Sequence, residues 1–198
     1  GLDIVMQALT KYPSGGADVL MGSVVTRDEA LHLKLLKLHG QLGIGVAAND
    51  AEFILKGLPT MALRYHAHDA WARQLAAWLG TQKAVRQVLH PALPGSPGHD
   101  HWKATCTAAA GLFSVMLDPA FTVAQVDAFV DALRLFKIGF SWGGPMSLVV
   151  PCDLASVRSR PTPHLQPGTL VRFAIGLEAV EDLRHGLQQA LALAFPSA

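Results

Sequence analysis

The sequence is poor in cysteine, in charge and in long apolar runs, and each shortage excludes a class of protein. Only Cys106 and Cys152 occur in 198 residues. Two isolated thiols are too few for a disulfide framework or a thiolate metal cluster, so the chain reads as cytoplasmic. Charged residues make up 16%, and sixteen Lys and Arg against fifteen Asp and Glu leave a formal charge of +1. No stretch concentrates the basic side chains, so neither nucleic acid nor an anionic membrane is an expected partner. Mean hydropathy is high at +0.30, yet no uninterrupted apolar run approaches the ~18–20 residues of a membrane-spanning helix. With 51% hydrophobic residues, the apolar excess is expected in a core or an interface. Gly1 to Gln7 place no basic region ahead of an apolar stretch, as a signal peptide would. They also lack an initiator methionine, as does a chain trimmed by proteolysis or one that begins within a larger protein.

Familiar catalytic signatures are missing too. There is no Gly-x-Ser-x-Gly elbow for a nucleophilic serine, and the glycine-rich stretches match neither a Walker loop nor a Gly-x-Gly-x-x-Gly fingerprint. Nine histidines include the pairs His66/His68 and His99/His101. On a helix, residues two apart point in different directions, and no His-Glu-x-x-His occurs. No metal is expected, and the histidines read as surface or hydrogen-bonded groups.

Local patterns predict an α/β organisation. Residues 3–6 read as a short buried strand, followed by the turn residues Pro13-Ser14-Gly15-Gly16. A second apolar run, Val19 to Val25, carries Gly22 inside it, which suggests a bulge or close backbone approach. Thr26 and Glu29 have the spacing of a capping box ahead of a leucine-rich helix to about His39, and Asn49-Asp50 can start the next helix. From Leu58 to Leu79 apolar positions recur at spacings of three and four, the period of a long amphipathic helix ended by Gly80. Strands are predicted over 84–89, 112–117, 148–150 and 169–175. Helices are predicted from Phe121-Thr122 onward, where Gln125 completes a capping box, and from Val180 to Ala194. Pro161, Pro163 and Pro167 mark an irregular stretch. The second half thus alternates strands and helices, as a sheet covered by helices on one face does.

The residue with the most chemistry in its surroundings is Lys11. It follows an apolar strand, lies between Thr10 and Tyr12, and precedes a glycine-rich turn. An apolar setting favours the neutral, nucleophilic amine that attacks carbonyls. Thr10-Lys11-Tyr12-Pro13-Ser14-Gly15-Gly16-Ala17-Asp18, continuing to Gly22, resembles the cofactor-lysine motif of the cysteine/methionine metabolism family of pyridoxal-phosphate enzymes, Thr-Lys-Tyr-x-x-Gly-His-x-Asp-x-x-x-Gly. His90 to His99 is similar to a loop of bacterial cystathionine β-lyases in that family. Ser141-Trp142-Gly143-Gly144 resembles their active-site loop, where γ-type relatives usually have Leu after the Ser. Thr169 to Glu178 resembles the C-terminal strand that carries the substrate-carboxylate arginine, here Arg172. The four blocks stand in the family's order and span essentially the whole chain.

The resemblance implies a fold and a site. The fold would be the end of a PLP-dependent transferase-like (fold type I) large domain over residues 1–57, plus the complete C-terminal α/β domain over residues 58–198. Lys11 would form a Schiff base with pyridoxal 5'-phosphate and then move protons as the acid and base. The Thr10 hydroxyl would bind the cofactor phosphate, Arg172 would hold the substrate α-carboxylate, and Ser141 and Trp142 would shape the pocket.

The implied reaction is α,β-elimination of L-cystathionine to homocysteine, pyruvate and ammonia, a trans-sulfuration step of methionine biosynthesis. The alternatives are a γ-lyase or γ-synthase of the same family, or a catalytically inactive fragment that serves only oligomer contacts. Family members resemble homotetramers and run to about twice this length. The half implied to be missing would supply a phosphate loop, a ring-stacking aromatic residue and an Asp for the pyridine nitrogen. Departures from the family pattern are Ala8 for a Ser, Gly16 for the His, Pro145-Met146 where Glu is typical in Gly-Gly-x-Glu-Ser-Leu, and Phe140 for a Tyr.

Overall fold

A computed structural model describes residues 1–154, 158–160 and 162–196. Their contacts divide into two compact units, Gly1–Ala62 and Leu63–Ala198, with the division inside a helix and downstream of the expected boundary at 57. Pro161 lies outside the described residues.

The first unit is a two-stranded antiparallel ribbon, β1 (Ile4–Ala8) and β2 (Gly22–Thr26), followed by α1 (Glu29–Gln41) and α2 (Ala48–Gly57). The ribbon runs in unbroken register from Ile4 opposite Thr26 to Ala8 opposite Gly22. Gly22 therefore sits at a strand end without a bulge, and a Cβ there would meet Gln7 O at an ordinary 3.6 Å. The predicted Thr26 cap is replaced by Asp28, whose Oδ1 accepts from Leu31 N at 2.7 Å. Thr26 instead donates to Asp3 O at 2.7 Å across the ribbon. β1 is exposed rather than buried, with Met6 72% exposed. Val19 and Ile54 are the buried hydrophobic side chains of this unit, whereas Leu33, Leu36, Leu42, Ile44 and Leu55 face outward.

The second unit holds a full core. After the 3-10 turn Leu58–Thr60 comes α3 (Met61–Leu79), then β3 (Val85–Leu89), α4 (His99–Thr105), β4 (Leu112–Leu117), α5 (Val123–Asp131), β5 (Lys137–Ile138), β6 (Leu148–Cys152), β7 (Leu170–Ala174) and α6 (Val180–Ala194). The strands form one sheet in the order β3-β4-β7-β6-β5, antiparallel except for the β5–β6 pair. Alternate residues of a strand face opposite sides, and the inward set, Phe113, Val115, Val149, Val171 and Phe173, joins the helices in a single cluster. Leu75 and Leu79 of α3, Val126 and Phe129 of α5, and Leu183 and Leu187 of α6 complete it. The predicted capping box is present: Thr122 Oγ1 accepts from Gln125 N and Gln125 Oε1 accepts from Thr122 N.

Among the described residues, two elements were not legible in the sequence. α4 is a short helix without an apolar period, entered through Gly98 at φ +78°. β5 has only two residues and exists because Lys137 and Ile138 pair with Leu148 and Val149.

Candidate active site

Lys11 and Thr10 belong to the first unit, and Ser141, Trp142 and Arg172 to the second. The turn that follows β1 is closed by Lys11 N donating to Ala8 O at 3.2 Å and Ser14 N to Leu9 O at 2.9 Å. Buried Ser14 adds a staple: its Oγ lies 2.9 Å from Thr10 O and 3.1 Å from Lys11 O, and accepts from Ala17 N at 3.2 Å. The end of α2 closes in from the other side. A Cβ on Gly57 would overlap the Pro13 and Ser14 carbonyl oxygens. Lys11 is thus a half-buried residue on a turn with little freedom, a setting that fits a lysine held for attack on an aldehyde.

Thr10 is differently occupied than the resemblance implies. Its hydroxyl donates to Met21 O at 3.3 Å and accepts from Met21 N at 3.1 Å, tying the turn to the approach to β2. Donation to a phosphate requires that proton to leave Met21 O.

Arg172 lies on the sheet face opposite the helical core, between Ser114 of β4 and Val150 of β6. Its guanidinium carbon is 5.5 Å from the Trp142 ring centroid and 5.9 Å from that of Phe140. Both distances are within cation–π range. Arg73, Arg86 and Arg184 each hold a carboxylate, but Arg172 is in no such ion pair among the described residues. Burial pushes its pKa down, with the neighbouring Cys152 acting the other way; the Cys152 thiol is itself pushed up by burial and pulled back by Arg172. A guanidinium remains charged under these conditions. A half-buried cation framed by aromatic rings and paired with no carboxylate among the described residues suits an external planar anion.

Cys152, Ser147 and Glu178 were not singled out from the sequence. Cys152 adjoins Arg172 because period-two alternation puts it on the same face of β6 as Val150. Only strand register reveals that. Glu178 ends the Thr169–Glu178 block and Ser147 lies three residues past the Ser141–Gly144 block, but their contact spans 31 residues: Glu178 Oε1 accepts from Ser147 N at 2.7 Å and Oε2 accepts from Ser147 Oγ at 2.8 Å. Two histidines are wholly buried. His68 bonds through Nδ1 to Ile175 O, and His90 Nδ1 accepts from Ala92 N at 3.2 Å. Among the described residues no group of three or more His, Cys, Asp or Glu could hold a metal ion.

Residues 1–192 match the family described as Cys/Met metabolism PLP-dependent enzyme. The chain belongs to that family. It is 38% identical to a cystathionine beta-lyase of Salmonella typhimurium, over 92% of this chain and 46% of the relative. To an L-alanine/L-glutamate racemase of Wolbachia pipientis it is 34% identical, over 97% of this chain and 47% of the relative. A crystal structure of cystathionine gamma synthase from Xanthomonas oryzae, in complex with aminoacrylate and cysteine, superposes on the whole chain and on 52% of its own, with TM-score 0.86 and 32% identity. The fold is therefore that of about half of a PLP-dependent transferase-like protein of fold type I. The chain spans about half the length of the curated relatives it matches. Among the described residues no helix is long and apolar enough to cross a membrane.

Proposed function

We propose that this chain is the carboxyl-terminal half of a pyridoxal 5'-phosphate-dependent carbon–sulfur lyase that cleaves L-cystathionine by α,β-elimination to homocysteine, pyruvate and ammonia. The observation that carries the reading is Arg172, a cation framed by Trp142 and Phe140 that holds no described carboxylate. The cofactor, when bound, supplies the aldehyde that takes up the substrate amine and the electron sink for charge released at Cα.

The chain's own residues do the rest. Lys11 Nζ would hold the cofactor by its aldehyde and, as a free amine, would move the proton between the substrate Cα and the departing sulfur. Arg172 grips the α-carboxylate with its planar fork and so sets which Cα bond is cleaved. Ser141 and Trp142 shape the carboxylate side, and Thr10 reaches the cofactor phosphate by giving up Met21 O. The boundary between the cofactor domain, residues 1–57, and the small domain, residues 58–198, falls between these two groups of residues.

The apolar residues exposed on the first unit suit cover by polypeptide corresponding to the relatives' other half. The working form, as the family resemblance implies, is a cytoplasmic homotetramer. A γ-synthase or γ-lyase is the second reading, favoured by the likeness to the Xanthomonas γ-synthase structure.

The test is a product assay on the full-length enzyme containing this chain. Pyruvate from L-cystathionine supports the β-lyase, whereas 2-oxobutyrate sinks it in favour of γ-elimination. Interconversion of L- and D-alanine with neither keto acid formed points to racemase chemistry and also sinks it.

A further inference from the structure

The loop that carries Phe140 and Trp142 runs from β5 to β6 and ends at Ser147, one residue before β6 begins. Ser147 is completely buried and uses every polar atom it has. Its N–H and Oγ–H both donate to the Glu178 carboxylate, its Oγ accepts from Gly176 N at 2.8 Å, and its carbonyl accepts from Lys137 N at 2.9 Å. Leu177 N adds a bond to Pro145 O at 2.7 Å. Gly176 allows this close approach, because a Cβ there would lie 2.5 Å from Glu178 Oε2 and would overlap Pro145 O.

The other end of the latch is equally fixed. Glu178 follows β7, the strand of Arg172, by a few residues. Ile175, between them, donates its N–H to Gly111 O at 2.7 Å, and its carbonyl is bonded by His68 Nδ1 from α3. The carboxylate therefore joins the loop bearing the aromatic rings to the strand bearing the guanidinium. The family pattern places a Glu at the position of Met146, which here is exposed. Ser147 takes its acid from a different segment.

We infer that Glu178, acting through Ser147, is a positioning residue that holds Trp142 and Phe140 against Arg172. The inference rests on the proposed carboxylate-binding role of Arg172, but its geometry is tested independently. Losing two charge-assisted bonds leaves the N–H and hydroxyl of a buried serine without acceptors. The rings then move off the guanidinium while the helical core, on the other sheet face, is untouched.

The test is NMR of the full-length enzyme containing this chain, labelled at arginine and at valine and leucine methyl groups. Arg172 side-chain protons are displaced by the ring currents of Trp142 and Phe140, and the signal is assigned by its loss in Arg172→Lys. Glu178→Ala is expected to abolish the displacement while the methyl signals of Val126 and Leu187 stay in place. Glu178→Gln, which keeps one acceptor, restores part of it. Ser147→Ala, which keeps the backbone bond to Oε1, is expected to reduce it. A displacement unchanged in Glu178→Ala with an intact core overturns the inference. If Glu178→Ala fails to fold, an unchanged displacement in Ser147→Ala overturns it instead. Failure of the lyase reading shows elsewhere, as an unchanged KM in the Arg172 variant of the enzyme.

Discussion

The guanidinium carbon of Arg172 lies 5.5 Å from the centre of the Trp142 ring, although one side chain stands on β7 and the other on the loop before β6. The contact ties the proposed carboxylate grip to the conformation of a loop. A lysine at the same place has neither the fork nor the flat face.

Arg172→Lys is therefore expected to raise KM for cystathionine while kcat changes less. A charge-assisted bond is worth about 1.5–3 kcal/mol, so the rise is roughly tenfold to a hundredfold. Steady-state kinetics on the full-length enzyme measure it, and an unaltered KM removes Arg172 from the site.

Lys11→Arg keeps the charge but cannot condense with an aldehyde. The expected result is a fall in kcat of about a thousandfold or more, since positioned proton transfer alone contributes 10²–10⁴. Visible cofactor absorbance and borohydride-fixed label on the peptide containing Lys11 should both vanish. Label that persists on another lysine would show that the amine was misassigned.

Gly57→Ala should destabilise the turn of Lys11. Alanine ordinarily favours a helix by ~0.5–1 kcal/mol, but here its Cβ would overlap the Pro13 and Ser14 carbonyl oxygens and come within 2.7 Å of Ser14 C. Overpacking of this kind costs about 1–3 kcal/mol, so the clash wins. A lower urea midpoint and weaker cofactor uptake are expected, whereas a midpoint at or above wild type contradicts the packing described.

His68 and His90 predict a pH dependence. Burial, the largest cause in both, depresses each pKa, with Arg64 adding to the effect at His68 and Arg73 at His90. The unfolded chain takes up protons at about pH 6.5 while the folded one resists. The contribution to stability is therefore complete above about pH 6.5 and is lost as pH falls from there toward the lower folded values. Urea midpoints should fall between about pH 6.5 and 5.5, above the carboxylate range, and His90→Asn should flatten the slope. A midpoint constant across that interval rules the buried histidines out as its cause.

Thr122→Ala removes the cap of α5 and its exchange with Gln125. A loss of about 1 kcal/mol is expected, seen as a lower Tm, while the proposed site on the opposite sheet face is unaffected. Altered kinetics with an unaltered Tm would contradict this.

What could be read from the residues in order was whatever a few neighbours decide among themselves. The three-and-four spacing up to Leu79, the strand over Leu112–Leu117 and the Thr122–Gln125 box depend on short stretches of chain, and the structure forms a helix over Met61–Leu79, that strand and that box. Where two local solutions compete, tertiary contact chose. Thr26 and Asp28 can each cap α1, and the ribbon drew the Thr26 hydroxyl to Asp3 O. β1 has the composition of a buried strand but is exposed, since burial depends on what packs against it and not on its own residues. Strand register alone set Cys152 beside Arg172, and chain closure over 31 residues joined Ser147 to Glu178. The sequence by itself determined the local elements and the family, because those follow from short-range sterics and from motifs carried in short stretches. Only the tertiary structure decided which side chains meet, because that depends on how distant strands are laid side by side.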